Sequence, residues 1–351
     1  MPLTPTTLPD LLDHGFDTVI DVRSPAEYAE DHVPGAINLP VLDNEERARV
    51  GTIYKQVSPF DARKLGAALV FRNAANHIET SLSHHDGAWK PLVYCWRGGQ
   101  RSGSFAWLLG EIGWRSDVIK GGYKTYRRMV VDMLHRNPLP FRFVQLGGYT
   151  GTAKTELLPL LAERGVQVID LEGLANHRGS LLGSMGDQPA QKAFESALAR
   201  QLCRLDPTRP VIVEAESSKI GQILLPPSLW EAMKIAPWIE VAAPLEARTD
   251  YLLRAYDDIL SDTVTLQAQL APLKAHRGEA LVAQWTRLSG AGDTRSLTRS
   301  LMEDHYDPAY AKSMRAMVPT VRARVETDGL SPAHLDRVAG QIEAALQAME
   351  T

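Results

Sequence analysis

The run Phe141-Arg-Phe-Val-Gln-Leu146 opens directly into Gly147-Gly-Tyr-Thr-Gly-Thr-Ala-Lys-Thr155, and a helix-prone stretch follows. A strand, a glycine turn and a helix in that order commit the surrounding chain to an α/β layer, because the helix must fold back over the sheet to bury its apolar face. The same order builds an anion site, since backbone N–H groups of the turn and of the helix N-terminus converge there. On this reading Gly148, Thr150, Gly151, Thr152 and Ala153 cradle phosphate oxygens and Lys154 reaches a terminal phosphate. The Thr155 hydroxyl is the candidate Mg²⁺ ligand. Ala153 stands where G-x-x-x-x-G-K-[ST] has its second glycine, which predicts a tighter backbone approach or a slightly different turn. Pro159 predicts a kink or a lost hydrogen bond in the following helix. A glycine connection without a ligand is the competing reading of such a turn.

Further apolar runs at Val166–Asp170, Pro210–Glu214 and Ile235–Val241 supply strands for the same sheet. Asp170 and Glu214 close the first two of these runs, where an acidic residue helps hold Mg²⁺ or its waters. His177 and Arg178 lie in the polar, glycine-bearing stretch Gly173–Ser180, just past a strand end, where an open α/β sheet takes its ligand. From Leu245 onward the pattern is mostly helical, with a break at Ser289–Asp293. Cys203 falls in a helical pattern beside Phe194, Leu198 and Leu202 and reads as packing.

Ahead of the segment His135-Arg-Asn-Pro-Leu-Pro140, a second alternation of strands and helices is legible. Strands are expected at Thr18–Asp21, Gly35–Leu39, Pro91–Tyr94 and Asp117–Lys120, a helix at Pro25–Glu30, a helix-prone stretch over Asp43–Ile78 and another helix at Ser102–Ile112. Cys95 ends one of the strands and precedes Trp96-Arg-Gly-Gly-Gln-Arg-Ser102. The backbone N–H groups of that loop, the helix N-terminus behind it, Arg97 and Arg101 all favour a thiolate. A thiol of pKa near 8.5 is only about 3% ionised at pH 7, so a downward shift of about two units makes the anion dominant. Cys95, Arg97 and Arg101 are therefore the catalytic candidates. The spacing Cys95-x5-Arg101 also suits a cysteine-dependent phosphatase, although Tyr94 stands where such enzymes usually carry histidine.

Composition narrows the field. With 38 Lys+Arg against 42 Asp+Glu the net charge is -4, which excludes a globally basic nucleic-acid binder but not a local basic patch. Two cysteines make no disulfide framework, and no Cys/His spacing suggests structural zinc. No secretory leader or spanning apolar run is legible, so a cytoplasmic protein with no membrane partner is expected.

Asp21-Val-Arg-Ser-Pro-Ala-Glu-Tyr28, His32-Val-Pro-Gly-Ala-Ile-Asn-Leu-Pro40 and the turn Gly121-Gly-Tyr123 resemble the signatures of the rhodanese family, whose cysteine carries sulfur or selenium. Together with Tyr94–Ser102, Lys120–Arg127, the glycine loop, Asp170–Ser180 and Val213–Gly221, they make the whole chain similar to the bacterial tRNA 2-selenouridine synthases. The resemblance implies an α/β fold class: an N-terminal rhodanese-like domain (1–134), a linker (135–140), a P-loop NTPase-like α/β domain (141–244) and a helical C-terminal extension (245–351). It also implies that wobble 2-thiouridine in a tRNA anticodon loop is converted to 2-selenouridine. Geranyl diphosphate alkylates the sulfur, and selenium from selenophosphate then displaces the S-geranyl group. Lys154 and Thr155 would hold the diphosphate, with Mg²⁺ as a candidate ion, while Arg97 and Arg101 would hold selenophosphate beside Cys95. Asp21, Arg23 and His32 read as braces of the sheet and loops.

A tRNA partner needs positive surface. Between Arg115 and Arg142 seven Lys/Arg face only Asp117 and Asp132. Lys120, Lys124, Arg127 and Arg128 are the candidate phosphate contacts, and Tyr123 and Tyr126 candidate stacking platforms for unpaired bases. A solvated helix face is the competing reading. Three other functions stay open: a nucleotide-dependent tRNA sulfurtransferase with a rhodanese domain, a non-enzymatic carrier and a phosphatase.

Overall fold

The computed structural model describes residues 2–179, 183 and 185–349, leaving aside the side chains of residues 316 and 317. Ser180, the last residue of the stretch carrying His177 and Arg178, lies outside the described residues. The chain forms two compact units, one of Met1–Asn137 with Pro189–Arg204 and one of Pro138–Gln188 with Leu205–Thr351.

The first unit is built on a parallel sheet of β1 (Thr18–Asp21), β2 (Ile37–Asn38), β3 (Pro91–Tyr94) and β4 (Asp117–Val118) in the order β2-β1-β3-β4. Strand β3 is buried along its whole length, which is why Pro91-Leu-Val-Tyr reads as a continuous run rather than an alternating one. Ile20, Val22, Val93, Phe105, Leu109 and Trp114 belong to one buried cluster behind it. The helix-prone stretch after Asp43 is two helices, Asn44–Gln56 and Pro59–Glu79. Ser58 accepts the Asp61 N–H and Pro59 occupies the first turn, so Ser-Pro was the start signal of the second helix. Helix Gln191–Leu202, which the sequence reading left in the second domain, belongs to this unit and packs on helix Gly122–Val131.

The second unit carries β5 (Arg142–Gly147), β6 (Gln167–Ile169), β7 (Pro210–Glu214), the short hairpin β8 (Lys219–Ile220) and β9 (Ile223–Leu224), β10 (Trp238–Ala242) and β11 (Val321–Glu326). Its main sheet is parallel in the order β11-β10-β5-β7-β6. The connections from β5 and β10 lead to opposite sides, so a crevice opens at their carboxyl ends, where the glycine loop sits. Strand β10 starts at Trp238 rather than Ile235, because Ile235 ends helix Pro227–Ile235 and Pro237 follows. The C-terminal segment is mostly helical but also returns the edge strand β11. Only Val325 of it is buried, and its two arginines point it out of the apolar patterns from which strands are read. Helix Pro332–Ala348 then packs on helix Lys154–Glu163, closing a core that includes Leu146, Leu157, Leu161, Val241, Val325 and Ile342. Helix Lys154–Glu163 runs through Pro159 without ending there. Among the described residues no helix is long and apolar enough to cross a membrane.

Candidate functional site

The glycine loop leaves the central strand β5 and turns into helix Lys154–Glu163. Gly148 has φ 149°, and a Cβ there would fall 2.6 Å from the Val241 carbonyl oxygen and 2.7 Å from Thr152 Oγ1, so only glycine fits. Ala153 adopts the left-handed conformation, φ 60° and ψ 30°, that the missing glycine would take freely. The difference costs about 1 kcal/mol and is held by burial of Ala153 in the core. Lys154 Nζ donates to the Gly148 carbonyl at 3.0 Å, which folds its ammonium back over the loop. Thr152 is buried and its hydroxyl donates to the Tyr149 carbonyl at 2.8 Å, bracing the turn.

Carboxylates line up on the far side. The Thr155 hydroxyl donates to Glu172 Oε2 at 2.9 Å, and the Glu172 N–H donates to Glu214 Oε2 at 3.0 Å. Burial raises the Glu172 carboxyl, against Lys154 and the Thr155 hydroxyl, which lower it. Burial and the neighbouring Glu172 push Glu216 up to about 8 and hold Glu214 well above the usual carboxylate range. Glu216 therefore favours its protonated form at neutral pH. Two expected assignments change: Asp170 turns away to cap Gly173 N at 2.6 Å, and buried Glu214 stands behind Glu172 rather than on the cavity wall. Glu172 and Glu216, each two residues past one of those, are the carboxylates that reach the cavity. Among the described residues no group of three or more His, Cys, Asp or Glu side chains is arranged to hold a metal.

Next to the loop lies a cavity of about 680 Å³. Its lining is mixed: Gly148, Thr150, Lys154 and Thr155 of the loop and helix start, together with the largely apolar Trp238, Leu252, Ala255, Tyr256, Tyr306 and Met314. Arg178 also lines it, paired with Asp258 at 3.2 Å and lying 4.7 Å from the Tyr256 ring centroid. His177 instead accepts the Gly179 N–H at 3.1 Å and is absent from the wall. The apolar lining comes mostly from helices 245–255 and 302–317, where no phosphate-loop pattern directs attention.

In the first unit Cys95 is buried, and its Sγ accepts from the Ser102 hydroxyl at 3.2 Å. Burial pushes the thiol up, but the Ser102 hydroxyl, the N–H groups of Ser102 and Arg97, and the Arg101 charge outweigh it, so the thiol is held below its ordinary value. Arg101 pairs with Glu27 at 3.3 Å, while Arg97 is exposed at the loop tip. The turn Gly121-Gly122 packs tightly beneath the loop: a Cβ on Gly122 would collide with the Cys95 carbonyl. Asp21 and Arg23 form a fully buried pair at 2.6 Å, and His32 stacks on Tyr28 with ring centroids 3.9 Å apart. Cys203 is half-buried, and burial pushes its thiol up to about 11.

The proposed stacking tyrosines are a correction. Tyr123 and Tyr126 are 2% and 1% exposed, so neither offers a face to a base. Tyr123 donates to Asp31 Oδ2 at 2.7 Å and lies under the Arg23 guanidinium, 4.0 Å from its ring centroid. Arg127 is paired with buried Glu195. Helix Gly122–Val131 is amphipathic, and its aromatics face inward because stripes four residues apart alternate with the charges. Lys120, Lys124 and Arg128 remain exposed, four residues apart.

Residues 4–129 match the rhodanese-like domain family, and residues 141–280 match the tRNA 2-selenouridine synthase AAA domain family. The chain is 33% identical over 331 residues to a tRNA 2-selenouridine synthase of Hahella chejuensis, covering 85% of each chain. A tRNA 2-selenouridine synthase of Cupriavidus pinatubonensis is 33% identical over 328 residues, 84% of this chain and 87% of that one. One from Nitrosomonas europaea is 37% identical over 256 residues, 72% of this chain and 66% of that one.

Proposed function

The chain belongs to the tRNA 2-selenouridine synthase family, and on that premise we propose that it replaces the sulfur of wobble 2-thiouridine in tRNA with selenium, through an S-geranyl intermediate. The observation that carries the geranyl step is the mixed lining of the cavity, polar from the glycine loop, Lys154 and Thr155 and apolar from Trp238, Leu252, Tyr256 and Met314. A prenyl diphosphate has those two halves. Alkylation converts a thiocarbonyl sulfur, a poor leaving group, into a thiolate that can depart. Lys154 moves from the Gly148 carbonyl to the diphosphate, with the loop N–H groups as its partners. Thr155 and Glu172 offer oxygen donors suited to Mg²⁺ shared with phosphates, and the ion would supply charge neutralisation of the diphosphate.

Selenophosphate is the selenium donor that the family implies. Arg97 and the loop amides receive its phosphate beside the lowered thiol of Cys95; its selenium bonds to C2 of the S-geranyl base as geranylthiolate leaves, and water then breaks the Se–P bond to release phosphate. Lys120, Lys124 and Arg128 contact the tRNA backbone.

Nucleoside mass spectrometry tests the division of labour with 2-thiouridine tRNA, geranyl diphosphate and Mg²⁺, with and without selenophosphate. The wild type makes S-geranyl and then seleno nucleoside, Cys95→Ala stops at the geranylated stage, and Lys154→Ala loses both products by on the order of 100-fold. ATP hydrolysis with no tRNA product replaces this reading with the nucleotide-dependent sulfurtransferase.

A further inference from the structure

Tyr310 stands at the root of the glycine loop, although 162 residues separate it from Gly148. Its hydroxyl oxygen accepts the Gly148 N–H at 3.0 Å, and its ring packs on Tyr149 with centroids 4.7 Å apart. A buried anchor sets this contact. Arg248, 6% exposed, donates to the Thr150 carbonyl at 3.1 Å and grips both oxygens of Asp307 at 2.9 and 2.8 Å. Asp307 opens helix Asp307–Met317, and Tyr310 follows one turn later. One guanidinium therefore ties the loop and the tyrosine's helix to the same point.

A tyrosine hydroxyl that accepts an amide proton still has its own proton to give. Tyr310 lines the cavity together with Lys154 and Gly148. We propose that Tyr310 is a catalytic residue of the prenyl-transfer step, donating a hydrogen bond to the departing diphosphate. This rests on the geranyl diphosphate reading above. In that step the C1–O bond breaks and its electron pair leaves with the diphosphate. A sulfur lone pair forms the C1–S bond, and the N3 proton of the thiouracil ring goes to water. Negative charge grows on the diphosphate as the bond breaks, and a fixed neutral donor gains strength with it. Burial and the nearby Glu240 and Tyr149, against the Gly148 N–H, push the Tyr310 hydroxyl up to about 12, so it keeps its proton through neutral pH.

The test compares wild type, Tyr310→Phe and 3-fluorotyrosine at position 310 in the full-length protein. Three quantities are read: the single-turnover rate of S-geranylation, the affinity for inorganic diphosphate and the melting temperature. The assignment expects Tyr310→Phe to lose on the order of 100-fold in rate. Diphosphate affinity changes by less than about threefold, because the loss falls on the transition state. 3-Fluorotyrosine, a stronger donor of nearly the same shape, holds the rate at or above wild type even if the phenylalanine variant folds poorly. An unchanged rate in Tyr310→Phe overturns the assignment, as does a loss of rate matched by an equal loss of diphosphate affinity. A wild-type protein that neither binds diphosphate nor makes S-geranyl nucleoside overturns the prenyl-transfer reading itself.

Discussion

At the scale of single residues, the Ser102 hydroxyl is what holds the Cys95 thiol below its ordinary value against burial. It sits 3.2 Å from the sulfur and, with its own N–H, leads the influences that oppose burial. Ser102→Ala shifts the pH profile of Cys95 alkylation by iodoacetamide upward and slows it at pH 7. Cys203, pushed up to about 11, provides the slow internal reference. An unchanged profile assigns the depression to Arg101 and the loop amides instead. Glu216 acts in the opposite sense. Its carboxyl is raised from the ordinary 4.5 to about 8, so folding takes up a proton. That contribution is complete below about pH 4.5 and is lost as pH climbs to about 8. Melting temperature should therefore fall over that window in the wild type and fall less in Glu216→Gln, at about 2–4 °C per kcal/mol. Equal slopes in the two proteins would show that Glu216 ionises freely.

Among the elements, helix Gly122–Val131 shows what a linear reading sees and misses. Its charge density was legible: Lys124 and Arg128, four residues apart, are exposed on it, and Lys120 is exposed just ahead of it. The inward turn of Tyr123 and Tyr126 was not, because their partners come from Asp31, Arg23 and helix Gln191–Leu202, far away in the chain. Strands β1, β3 and β7 were legible as short apolar runs, β5 as a run interrupted by Arg142 and Gln145, and the glycine loop and Cys95 loop as strand-end turns. Strand β11 was hidden by its arginines, and the apolar wall of the cavity by its origin in helices past Leu245. Lys124→Glu with Arg128→Glu removes exposed cations without touching the buried Arg127–Glu195 pair. Filter binding of tRNA across a salt titration should weaken, with the slope of log affinity against log salt falling by about 2. A slope equal to wild type moves the tRNA surface elsewhere.

At the scale of the molecule, helix Gln191–Leu202 falls in the chain between β6 and β7 of the second unit yet belongs to the first. Arg127 pairs with its Glu195, and Lys192 reaches Glu30 at 2.6 Å. A fragment ending at Asn137 lacks both partners and should melt below the same fragment supplied with a peptide of residues 189–204, by about 2–4 °C per kcal/mol recovered. No rise on adding the peptide would make that helix a passenger. The chain therefore passes from one unit to the other at residues 137–138, 188–189 and 204–205. A single cut, or a single crossover between genes, at 137–138 leaves the first unit without helix Gln191–Leu202 and the second unit carrying it. Exchange at that boundary therefore cannot lend the cysteine loop's unit to another protein complete, because the helix that finishes it travels with the glycine loop.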